Sequence, residues 1–151
     1  MSAQAVGGVL GGLVVGSAAA RLSPPRLLGL GAVLFGLVDL AIFVYPSFVQ
    51  SIAVGLALFV LVGIPAAGML AGLQTLLQTS AEDRFRGRVF GALGTTQALL
   101  MLAGTLLGGA LGDAVGVVPV LVVQGGAYVA AGILVLVLLA HDGKQAPPRT
   151  A

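Results

Sequence analysis

Asp39 is the only acidic or basic residue inside any long apolar run of this chain, and it lies near the middle of one. A carboxylate at the centre of a lipid-spanning helix is costly, and such residues usually face protein or water and handle protons or ions. Gly29, Ala32, Gly36 and Asp39 recur at three- and four-residue steps, which sets Asp39 on a small-residue face turned toward another helix. Two chemistries fit: proton coupling, or a protonated or hydrogen-bonded side chain that joins two helices. The remaining polar groups in the runs are amides, hydroxyls and a phenol. Gln74 and Gln78 are four apart, with Thr75 and Thr79 beside them. Gln97 and Met101 share a face with Thr105 and Gly108, and Gln124 shares one with Tyr128. Such groups can line a mainly apolar cavity that takes a small molecule. They can equally make hydrogen bonds between helices.

No enzyme constellation is present. There is no paired carboxylate, no Ser/His/Asp set and no phosphate-cradling glycine loop. Cysteine is absent and the single histidine is His141, so neither a disulfide framework nor a metal site is expected, and no cofactor is implied. Glu82 and Asp83 precede a basic run and read as a solvated loop.

The elements that position these residues are membrane spans. Charged residues make up 8% of the chain, against about 25% in soluble domains, too few to coat a soluble globule. The mean hydropathy of +1.12 agrees. A spanning helix needs about 20 mostly apolar residues. Five such runs are expected, at about residues 3–20, 27–49, 52–77, 89–111 and 117–140, giving a helical domain over residues 1–141 and a disordered tail over 142–151. Pro24 and Pro25 mark a turn, and Pro65 interrupts the third span as a kink or hinge. Glycines four apart, among them Gly104 and Gly108, mark packing seams.

Every basic residue falls on one side of this arrangement. Arg21 and Arg26 lie in the first break, Arg84, Arg86 and Arg88 in the third, and Lys144 and Arg149 in the tail, while the second and fourth breaks hold none. Lys and Arg concentrate in cytoplasmic loops, so the N-terminus is expected outside and the C-terminus in the cytoplasm. The split among loops also argues against nucleic acid as a partner, despite the net charge of +2. A secretory signal peptide needs a positive n-region, and residues 1–20 carry no charge.

Three motifs then resemble the C-terminal part of a major facilitator superfamily transporter, in the branch that exports drugs, macrolides and siderophores. Gly16-Ser-Ala-Ala-Ala-Arg21-Leu-Ser-Pro-Pro-Arg26 is similar to the family's cytoplasmic loop signature at Gly16 and Arg21, with Ala20 in place of its acid. Arg86-Gly87-Arg88 resembles the entry to the eleventh helix, and the glycine-rich run from Gly104 through Gly108 to Gly112 resembles that helix itself. The resemblance implies an all-α integral membrane fold whose five spans are helices eight to twelve of twelve, an incomplete C-terminal half. It implies alternating access, with a small amphipathic substrate exported in exchange for protons. The expected cavity contacts are Gln74, Gln97 and Met101, on helices ten and eleven. Asp39 falls on the ninth helix, peripheral to the cavity in this family. The expected partners are the lipid bilayer, the substrate and the missing N-terminal helices, in a bacterial plasma membrane. Met1-Ser2-Ala3-Gln4 reads like the interior of helix eight, which suggests a fragment. The alternatives are a small structural bundle that assembles through its glycine seams, and the membrane subunit of a multi-chain transporter.

Because the chain has no cysteine, its orientation can be read with single introduced ones. Ser47→Cys and Asp113→Cys are expected to react with a membrane-impermeant maleimide in intact cells, and Ser80→Cys only after permeabilisation. The reverse pattern would overturn the orientation.

Overall fold

The structure is a computed structural model of the chain. It describes the backbone of residues 2–19, 22–48, 51–80 and 84–142, and the side chains of 7–17, 22–48, 51–80 and 84–138. The described residues form five α-helices: α1 (Ser2–Ala19), α2 (Pro24–Val44), α3 (Ile52–Ser80), α4 (Arg86–Val115) and α5 (Val117–Asp142). A 3₁₀ turn, Tyr45–Ser47, follows α2. Helices are what apolar runs of this length must form in lipid, because only a helix satisfies its backbone donors and acceptors within one segment. Helices α2 to α5 are long and apolar enough to cross a membrane. Helix α1 is shorter, at 18 residues.

The ends follow local chemistry. Pro24 and Pro25 do not form the expected turn but open α2, after an extended Ser23. The first helical positions need no N–H donor, and the fixed proline φ suits them. Helices α4 and α5 are separated by Gly116 alone, at φ 90°, with its N–H donating to the Gly112 carbonyl at 3.0 Å. A positive φ of this kind suits glycine. Helix α4 therefore runs on to Val115 and includes Asp113, where the sequence suggested a break. Helix α3 continues through the buried Pro65 as one helix. Helix α5 includes His141, whose side chain lies outside the described set, as do residues 143–151, where the tail was expected.

The helices pack in a row: α1 on α3, α3 on α2, α2 on α5, and α5 on α4. Lipid tails are as apolar as leucine, so close packing at small residues holds such helices together. The α2–α5 seam illustrates this. A methyl carbon at Gly36 would lie 2.6 Å from the Gly125 carbonyl oxygen, and one at Gly132 would lie 2.7 Å from that of Gly29. No side chain fits in either gap. On α2's other flank, a methyl carbon at Gly31 would lie 2.6 Å from the Met69 nitrogen of α3. On α1, one at Gly11 would meet the Ile64 Cα of α3 at 2.7 Å. By contrast, the space beside Gly8, Gly12 and Gly16 on α1, and beside Gly104 and Gly108 on α4, is open. Helix α4 contributes no buried residue.

The contrast separates two kinds of glycine. Gly36→Leu or Gly132→Leu should overpack the α2–α5 seam and cost about 1–3 kcal/mol, read as a lower thermal midpoint in detergent. Gly8→Leu and Gly104→Leu should leave the midpoint of this chain unchanged or higher. Equal losses at all four positions would refute the assignment.

Candidate functional site

Most hydroxyls in the spans are spoken for by their own helices. Thr75 donates to the Ala71 carbonyl at 2.8 Å, Thr79 to Thr75 at 2.9 Å, Thr95 to Gly91 at 3.0 Å and Thr105 to Met101 at 2.8 Å. Such back-bonding is the usual resting state of a threonine inside a helix. It leaves the glutamines, Thr96, Tyr128 and Asp39 as the polar groups able to meet something else.

Helix α4 carries Leu93, Gln97 and Leu100 at four- and three-residue steps, with Thr96 and Met101 alongside. These five residues and Leu73 of α3 line a hollow of about 500 Å³. That volume is within the range of small-molecule sites. Its hydrogen-bonding groups are the Gln97 amide and the Thr96 hydroxyl, and no charged side chain lines it. The structure thus brings Gln97 and Met101 together. Gln74 is exposed and outside the lining, although its chain neighbour Leu73 is within it. Sequence reasoning missed Leu73, Leu93, Thr96 and Leu100. The steps 93, 97 and 100 were a usable signal, because Gln97 already marked that face.

A second, shallower groove of about 380 Å³ is lined by Gln124, Ala127, Tyr128 and Ala131 of α5. Tyr128 also meets Phe35 of α2 edge to face, with ring centroids 4.8 Å apart.

Asp39 lies apart from the α3–α4 hollow. It is buried in the packing of α2, as are Gly29, Ala32 and Gly36 on the face the sequence marked out. Its exposure is 8%, and its Oδ2 has no hydrogen-bond partner. Insertion scales charge about 2.5–3.5 kcal/mol for an aspartate at a helix centre, and an unsatisfied buried oxygen adds to that cost.

At the Arg-bearing end, Arg86 donates from Nη2 to the Gln78 carbonyl at 3.1 Å. A cation there satisfies one of the carbonyls that the C-terminus of α3 leaves unpaired and complements the helix dipole. Arg84 lies over the Phe85 ring at 5.4 Å. Gly87 has open space beside it, as has Gly16. Arg21, Glu82 and Asp83 lie outside the described residues. Among the described residues, no cluster of three metal-ligating side chains occurs.

A family model, the Major Facilitator Superfamily, matches residues 1–151. The chain belongs to the major facilitator superfamily. No curated protein and no solved structure shows a significant match. Superfamily members are secondary transporters rather than enzymes, and the four long apolar helices agree with a multi-pass membrane protein. The expected all-α membrane fold is the one observed.

The Arg86 contact has a direct consequence. Arg86→Ala should free the Gln78 carbonyl and speed amide hydrogen exchange in the last turn of α3, with α2 unaffected. Unchanged exchange in that turn would mean the bond carries nothing in solution.

Proposed function

We propose that this superfamily chain forms part of a proton-coupled exporter of small, amphipathic, uncharged molecules, working by alternating access. The observation that carries the reading is the uncharged hollow between α3 and α4, with one amide and one hydroxyl set in leucine and methionine. An apolar wall with few fixed polar groups selects for shape and a single hydrogen bond rather than for charge. Gln97 and Met101 serve as substrate contacts, with Gln74 at the rim beside Leu73. Asp39 is the coupling acid. Pro65 and the glycines of α4 serve motion and packing. The cytoplasmic signatures Gly16, Arg21, Arg86, Gly87 and Arg88 border the inner face of a plasma membrane.

Helix α4 supports a need for further membrane helices. It is the least apolar of the four long helices and it buries nothing. Gln97 and Thr96 are poor partners for lipid tails, so another protein surface or a watery cavity suits them better. In a transporter, further membrane helices would supply it.

The same bare face favours a second reading, a bundle that assembles with copies of itself through Gly104 and Gly108. Gly104→Cys separates the two. Disulfide-linked pairs of this chain would support self-assembly, and cross-links to another membrane segment would support the transporter.

The transport reading is tested by efflux of a neutral fluorescent dye from cells or proteoliposomes under an imposed proton gradient. Loss of the one neutral hydrogen bond in Gln97→Ala is worth about 1 kcal/mol, so KM should rise about fivefold. Asp39→Asn should abolish the dependence on the gradient. Efflux unchanged by Gln97→Ala and Met101→Ala would overturn the cavity assignment.

A further inference from the structure

The partner of Asp39 can be read from the register of the α2–α5 seam. The two helices run antiparallel. Gly29 faces Gly132 and Leu136, Gly36 faces Gly125 and Val129, and Leu40 reaches Gly125. Phe35 meets Tyr128 at the same seam. One turn further along α2 from Phe35 is Asp39. One turn back along α5 from Tyr128 is Gln124. Residues four apart lie on nearly the same side of a helix. The step that leaves the Phe35–Tyr128 contact therefore sets Asp39 and Gln124 at one height and on one side of the seam.

Among the described residues, the helices packed on α2 offer no charged group at that place. Helix α3, which also packs on α2, has no titratable residue between Ile52 and Ser80. Along Val117–Leu138 of α5, the only titratable residue is Tyr128. On α2 itself the others are Arg26, at the first turn, and Tyr45, just past the last, beside Gly55. Asp39 has no countercharge in the helices packed around it, and its Oδ2 is buried without a partner.

We propose that Asp39 and Gln124 together form a reversible proton site in the α2–α5 seam, with Gln124 as the positioning residue. A carboxamide suits this role because it carries both an acceptor oxygen and two N–H donors. When Asp39 is a carboxylic acid, its O–H donates to the Gln124 oxygen. When the proton leaves to water, the amide turns and donates an N–H to the carboxylate. Either state has a hydrogen bond, so the proton can come and go without stranding a polar atom. Gln124 also lines the open groove on α5, so its amide is free to turn. This assignment deepens the proton-coupled reading, but it stands on packing rather than on transport.

The test is infrared spectroscopy of the full chain in lipid, with ¹³C-labelled aspartate. The label identifies a protonated aspartic C=O stretch without any mutation, and Asp39→Asn should remove it. Gln124→Leu should shift that band to higher frequency, as a lost hydrogen bond requires, while Gln78→Leu, on the far end of α3, should leave it in place. Absence of a protonated aspartic band at every pH where the protein stays folded would overturn the site. So would a band that Gln124→Leu does not move. Efflux is measured separately on the same variants. Gradient-driven efflux that survives Asp39→Asn would overturn the coupling role and leave the proton site standing.

Discussion

Close backbone approach at glycine is the interaction on which this bundle depends. In water a helix is driven onto its neighbour by the apolar area it hides. In lipid that drive is gone, and dispersion at short range has to do the same work. Removing a side chain lets two backbones come within contact distance, as at Gly36 and Gly125, or at Gly31 and Met69. The result is a row of helices rather than a ball with a centre. Its buried hydrophobic residues are few, Val15, Leu27, Ala32, Ile42 and Val62 among them, and they lie between helices.

A row has ends, and the ends behave differently from the middle. Helix α2 is clasped on both sides, and its buried set is mostly small: Gly29, Gly31, Ala32 and Gly36. Helix α4 meets its neighbour chiefly at α5, and all its glycines but Gly112 face open space. Yet α4 carries the amide and the hydroxyl that line the hollow. Uncovered glycines and the residues that line the hollow thus share one poorly covered helix.

The polar groups divide by the same logic. Threonines that return their hydroxyls to their own helix cost little in lipid and need no neighbour. Asp39 has no such local solution, because its carboxyl is buried and Oδ2 remains unpaired. Its placement beside the glycine-lined α2–α5 seam makes any change in its charge a matter for the packing of α2 on α5. On the neighbouring helix α5, the Tyr128 ring packs against Phe35 and Gln124 lines the groove beside it.

The sequence by itself determined the class. Length and hydropathy of the runs define helices in lipid, because no other open structure satisfies the backbone there. The small-residue steps around Asp39 also placed that residue inward, since periodicity reports a face. What periodicity does not report is the partner. Gly7 with Gly11 and Gly8 with Gly12 are the same pattern one residue apart, yet the first pair is pressed against α3 and the second is bare. Likewise Gln74 and Gln97 read alike along the chain, and only the approach of α3 to α4 sets Gln97, with Leu73, into the hollow. Local spacing fixes where a side chain sits on its own helix. Which helix stands opposite, and at what height, is a property of the whole row, and only the tertiary structure decides it.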